Sequence, residues 1–100
     1  MTAQIGIDPE QVADFCRRHE VQELALFGSV LREDFGPKSD VDLLVTFTPD
    51  ARVSLFDLVD MAEDLSRLLG RRVDLVLKRG LKPRIRRSVL ESSEVIYAAA

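Results

Sequence analysis

Leu26-Phe27-Gly28-Ser29-Val30-Leu31-Arg32-Glu33-Asp34-Phe35-Gly36-Pro37-Lys38-Ser39-Asp40-Val41-Asp42-Leu43-Leu44-Val45 is the stretch from which the rest of the chain can be read. An apolar run ends in Gly28-Ser29, and ten residues later Asp40-Val41-Asp42 opens a second apolar run. Successive strand residues point to opposite faces, so Asp40 and Asp42 share one face and Val41 and Leu43 the other. Two carboxylates side by side repel unless a cation sits between them. Hard divalent ions suit such a pair, because Mg²⁺ is typically held by one or two carboxylates together with phosphate oxygens and water. A polar turn entering a half-exposed strand, with Asp40 making an Asx-type bond, leaves the same short pattern. The upstream Gly-Ser favours the ligand reading: Gly28 lets a backbone come close to a bound group, and Ser29 offers a hydroxyl beside a helix start.

The whole chain sets outer bounds. One hundred residues suit one domain, residues 1–100, with a modest core and no room for a separate substrate domain. Its 46% apolar and 31% charged residues are ordinary for a soluble globular fold. No run approaches the ~20 apolar residues of a membrane span, and the N-terminus lacks a basic-then-apolar signal pattern, so a cytoplasmic protein without membrane contact is expected. The lone Cys16 excludes an internal disulfide and fits a reducing compartment; on an apolar helix face it reads as a buried, inert thiol. A net charge of −3 argues against a general nucleic-acid binder. From Lys78 to Arg87, however, the chain carries Lys78, Arg79, Lys82, Arg84, Arg86 and Arg87 with no acid between them. That run is either a solvated helix face or a surface facing phosphate or a partner.

Periodicity and punctuation give the element order. Asp8-Pro9 opens a helix over about Pro9 to Glu20, with Val12, Phe15 and Cys16 inward and His19 placed to favour the helix C-terminus. Glu23 to Phe27 reads as a strand, Ser29 to Asp34 as a short helix, and Phe35 to Lys38 as loop. Asp40 to Phe47 is a second strand, central because its Leu-Leu-Val run suits burial on both faces. Ser54 and Asp57 approximate a capping box before a long helix whose apolar positions are Leu55, Leu58, Val59, Ala62, Leu65, Leu68 and Leu69, closed by Gly70. Val73 to Leu77 is a third strand. Asp74 within it is costly unless paired or metal-bound, or else marks an edge strand facing water. Pro83 to Glu91 forms a last helix with Ile85, Val89 and Leu90 as its apolar side, and Val95 to Tyr97 a short extended tail in which Tyr97 packs. Strands joined by helices imply an α/β fold with a mixed or parallel sheet flanked by helices.

Gly28-Ser29, the ten-residue gap and Asp40-Val41-Asp42-Leu43-Leu44-Val45 together resemble the signature of the polymerase-beta-like nucleotidyltransferases. At this length the chain is similar to their minimal branch, the MNT proteins that accompany HEPN-domain toxins. The resemblance runs from about Val21 to the C-terminus. Arg32 matches the family's arginine after Gly-Ser, while Glu33 stands where many members have glycine. It implies a small nucleotidyltransferase core that moves AMP from ATP. It further implies that Asp40, Asp42 and Asp74 hold two Mg²⁺ ions as catalytic and metal-binding residues, and that Gly28, Ser29, Arg32 and Ser39 contact the nucleotide.

The same resemblance implies a HEPN toxin as partner, adenylylated on a tyrosine and silenced, which makes the chain an antitoxin within a hetero-oligomer. Two other readings stay open. One is a binding antitoxin without catalysis. The other is the catalytic subunit of a small-molecule transferase completed by a separate helical subunit.

Overall fold

The computed structural model describes residues 7–28 and 40–99. The expected short helix at Ser29 to Asp34 and the loop at Phe35 to Lys38 lie outside the described residues.

Helix α1 spans Pro9–Arg18, with the Asp8 carboxylate accepting the N–H groups of Glu10 and Gln11 and proline in its first turn. It stops two residues short of Glu20, because Glu20 takes a left-handed φ of 58°, which breaks the helical path. His19 caps the end, with its ring 4.4 Å from that of Phe15. Strand β1 follows at Val21–Phe27, two residues earlier than the pattern suggested. A register shift between Val21 and Glu23 re-phases the strand, so Val21 still reaches the core that Leu24 and Leu26 occupy.

Strand β2 (Val41–Phe47) pairs antiparallel with β1 and parallel with β3 (Val73–Leu77). Parallel neighbours need a long crossover, here helix α2, Leu55–Leu69. Its N-terminus carries the full capping box: Ser54 Oγ accepts the Asp57 N–H at 3.2 Å and the Asp57 carboxylate accepts the Ser54 N–H at 2.9 Å. Gly70 ends it in the left-handed conformation, φ 69°. A 3-10 turn at Lys78–Gly80 leads to helix α3 (Pro83–Ser92) and then to β4 (Glu94–Ala98), which pairs antiparallel with β1. The sheet order is β3-β2-β1-β4, so β2 is internal and β3 forms an edge.

The two faces of the sheet are covered differently. One packs Val12, Phe15 and Cys16 of α1 and Met61 and Leu65 of α2 against Leu24, Leu26, Val41, Leu43, Val45 and Val73. Tyr97 packs against this core, as its position in the tail suggested. The other face carries a smaller cluster, Ala25, Leu44 and Leu81, with Val89 and Leu90 of α3 laid over it.

The apolar stripe of α2 is shifted from the expected one. Leu55, Phe56 and Val59 are 78%, 84% and 58% exposed, and Met61 fills the core instead. In α3, Ile85 is likewise exposed while Val89 and Leu90 pack. Leu58, Met61, Leu65 and Leu68 recur at helical spacing and pack on the core, so the buried stripe of α2 is rotated away from Leu55 and Val59. None of the described helices is long and apolar enough to cross a membrane.

Cys16 is wholly buried, and that burial pushes its thiol from 9.0 up to about 12, with Arg17 pulling weakly the other way. Native protein should therefore resist iodoacetamide at pH 8 and react only after unfolding. Because the unfolded thiol ionises first, Cys16 should leave stability unchanged below about pH 9 and lower it as pH rises towards about 12, readable as a falling denaturation midpoint that Cys16→Ala removes.

Candidate active site

Strands β2, β3 and β4 run one way and β1 the other, so the start of β2, the start of β3 and the end of β1 meet at one end of the sheet. Asp42 and Asp74 are Cα partners across the parallel β2–β3 pair. Neighbouring strands lie about 4.8 Å apart and paired residues share a face, so the two carboxylates stand side by side. Both project from the face opposite Leu43 and Leu75, the thinly covered one. Asp40, two residues before Asp42, continues the same alternation just ahead of the strand. Asp42 and Asp40 are half-buried and Asp74 is exposed. The edge-strand reading and the shared-site reading of Asp74 thus describe one arrangement: β3 is an edge, and Asp74 faces Asp42's side of it.

Gly28 closes the site from β1. Its neighbour Phe27 is the register partner of Asp42, and Gly28 turns away with φ 76°. A Cβ built there would collide with Asp42 Oδ2, closer than real Cβ atoms come. Glycine is therefore required twice over, for its left-handed backbone and for the carboxylate resting against it. The sequence suggested that Gly28 admits a ligand; what it admits directly is the side chain of Asp42. Ser29, Arg32 and Ser39 lie outside the described residues.

Two contacts that set the position of Asp74 escaped sequence reasoning. Ser66, on α2, donates to the Ala62 carbonyl at 2.7 Å and accepts the Val73 N–H at 3.0 Å, tying the helix to the residue before Asp74. The Arg72 carbonyl accepts the Val41 N–H at 2.8 Å, locking the two strand entries together. Arg72 also precedes Asp74 by two residues, and alternation brings it to the carboxylate face. A serine on a half-buried helix stripe and a period-two arginine were the available signals.

The donor set is all carboxylate oxygen, which suits a hard cation such as Mg²⁺ rather than a soft metal. Among the described residues no three acidic, histidine or cysteine side chains are close enough to enclose an ion by themselves. Two adjacent carboxylates fit a cation whose remaining ligands are phosphate and water. The basic run lies elsewhere. It begins at Lys78, where β3 ends, so its first residues occupy the opposite end of the sheet from Asp74.

Gly28→Ala should cost about 1–3 kcal/mol for the left-handed backbone, plus the displacement of Asp42. Gly70 has a similar φ of 69°, but a Cβ added there would meet nothing within 4 Å, so Gly70→Ala isolates the backbone part. Urea denaturation should show Gly28→Ala clearly the more destabilised of the two.

Comparison with known proteins gives the family and the fold. The nucleotidyltransferase domain family matches residues 9–96. Protein adenylyltransferase MntA of Thermococcus cleftensis is 44% identical over 80 residues, covering 80% of this chain and 77% of that protein. A solved structure assigned as a minimal nucleotidyltransferase superposes with a TM-score of 0.70 at 41% identity, over 85% of each chain. A toxin–antitoxin crystallised with AMP-PNP superposes with a TM-score of 0.74 at 20% identity, over 93% of this chain and 75% of that one, a likeness of fold. With residues 9–96 matched and a relative at this identity spanning most of both chains, this protein belongs to the nucleotidyltransferase domain family.

Proposed function

We propose that this chain is a Mg²⁺-dependent protein adenylyltransferase that moves AMP from ATP to a hydroxyl, a tyrosine of a HEPN-type toxin, and so acts as that toxin's antitoxin. The observation that carries the reading is the pairing of Asp42 with Asp74 at one end of the sheet. The relatives add chemistry: MntA is named a protein adenylyltransferase, and one neighbour of this fold is a tri-AMPylated HEPN toxin of Shewanella oneidensis in complex with its MNT antitoxin.

In this mechanism the acceptor oxygen attacks the α-phosphorus of ATP in line, the bond to the bridging oxygen breaks, and pyrophosphate leaves. Asp74, exposed at the edge, holds the incoming hydroxyl and takes its proton. Asp40 and Asp42 lie deeper and orient the triphosphate end of the site. Mg²⁺ would neutralise charge on the phosphate oxygens; Asp40, Asp42 and Asp74 would hold it together with those oxygens and water, since the three side chains do not enclose an ion by themselves. Gly28 keeps the end of β1 close against Asp42, and Ser29, Arg32 and Ser39 bind the nucleotide phosphates. Asp74 is exposed among the described residues, which suits a macromolecular acceptor.

Coexpression with the toxin followed by intact mass measurement tests the reading. Wild-type protein should add AMP to the toxin. Asp42→Asn and Asp74→Asn should lower transfer about a hundredfold or more while leaving the melting temperature nearly unchanged. Suppression of the toxin with no mass change would replace the enzyme with a masking antitoxin, and unimpaired transfer by Asp42→Asn would remove the proposed site.

A further inference from the structure

We infer that Ser66 is a positioning residue of the transfer reaction: its hydroxyl holds the turn that delivers Asp74, so losing it slows transfer without loosening the nucleotide. This role rests on the proposed function of Asp74 and adds the contact that fixes its carboxylate.

An edge strand is paired along one side only, which leaves it the less constrained member of a sheet. Asp74 lies on such a strand, with β2 as its neighbour. Arg72 bonds to β2 through its carbonyl. Successive residues of a strand turn their backbone groups to alternate sides, so the Val73 N–H points away from β2. Ser66 Oγ accepts it there at 3.0 Å. The same hydroxyl donates to the Ala62 carbonyl at 2.7 Å, which leaves its lone pairs for β3.

The backbone of Ser66 serves the same turn. Its carbonyl accepts the N–H of Gly70 and, at 3.1 Å, that of Arg71. N–H groups of residues 70, 71 and 73 thus converge on one residue of α2, and Asp74 comes next. The carbonyl bonds survive a change of side chain; the hydroxyl bond does not. Alanine is the better helix former, and a serine bonded back to the preceding turn slightly weakens a helix. Helix formation therefore gives no reason for serine here, whereas the bond to β3 does. Met61 and Leu65 also hold α2 on the sheet, but apolar packing is non-directional and fixes a strand less sharply than a hydrogen bond. Misplacing a reacting group by about 1 Å can cost about a hundredfold in rate. Asp42 stands on the internal strand against Gly28, so the nucleotide side of the site is untouched by Ser66.

Amide exchange of the ¹⁵N-labelled full chain tests the contact. The Val73 N–H should exchange about tenfold more slowly than that of Leu75, the next outward group on the same edge, and Ser66→Ala should erase the difference. Equal exchange of the two in wild-type protein would overturn the inference. Steady-state AMP transfer to the toxin tests the consequence. Ser66→Ala should lower kcat about tenfold with the KM for ATP unchanged, and Ser66→Thr, which keeps the hydroxyl, should restore kcat to within about twofold. Ser66→Cys keeps the shape and weakens the acceptor, so it reports the same loss should the alanine variant not fold. Val12→Ala, in the core under α1, should lower the melting temperature and leave kcat alone. A kcat unmoved by loss of the hydroxyl, an equal fall in Val12→Ala, or no rescue by threonine would each assign Ser66 to stability alone. Mn²⁺ line broadening at the Asp42 and Asp74 amides needs no transfer and separates the two claims. Wild-type protein that transfers no AMP would remove the proposed function, whereas equal broadening at Asp74 in wild type and Ser66→Ala would remove the role of Ser66.

Discussion

The parallel pairing of β2 with β3 is the constraint on which the rest of the molecule depends. It sets Asp42 beside Asp74, and no antiparallel hairpin joins strands in this orientation. Two like charges so placed repel by about 1 kcal/mol in water and by about 4 kcal/mol where the effective dielectric is that of a protein surface. A fold keeps such a pair only if its other contacts outweigh that repulsion. Here the opposing contacts are on the far face: Val41, Leu43 and Val73 are buried against α1 and α2 directly behind the carboxylates. Burial of each such side chain contributes roughly 1.5–3 kcal/mol. The acidic pair is therefore backed by hydrophobic packing on the other face of the sheet.

The crossover that makes the strands parallel also fixes how they meet. Helix α2 is closed at both ends by its own sequence, the Ser54–Asp57 box at the start and left-handed Gly70 at the finish. A helix of defined length returns the chain to the sheet at a defined residue. Ser66 then couples the last turn of α2 to Val73, and Arg72 couples β3 to β2. A slip of one residue at this junction would turn Asp74 to the packed face and Val73 to water, which these hydrogen bonds guard against.

Much of this was legible in the sequence because it depends on local chemistry. Asp8, Ser54, Asp57 and Gly70 are capping residues whose preference comes from the geometry of a helix end, and each caps as expected. Period two in Asp40-Val41-Asp42 and in Val73-Asp74-Leu75 gave the faces, and the order of strands and helices gave the mixed α/β sheet. What the sequence concealed depends on partners far along the chain. Leu55 and Val59 have the helical spacing of core residues, but the rotation of α2 on the sheet decides which stripe is covered, and Met61, with Leu58 and Leu65 on its stripe, took the buried place. The early start of β1 rests on a bulge against β2, invisible in β1 alone. The register that joins Asp42 to Asp74 is non-local too. It entered the sequence reading through family resemblance, since periodicity could say only that each faces away from the apolar side.

The distribution of charge follows the same logic of strand direction. Because β2 and β3 run together, their starts gather the acids and their ends lead into Lys78 and Arg79, so the parallel pair is polarised along its length. Helix α3 then carries the chain back from the basic end to the start of β4, which pairs with β1 near its finish. The polarisation is one of excess rather than of strict separation: Arg71 and Arg72 enter β3 at the acidic end, and Glu23 pairs with Lys78 at the other. Opposite charges placed at each end temper the local excess, so strand direction sets the sign of each end without leaving it uniformly charged.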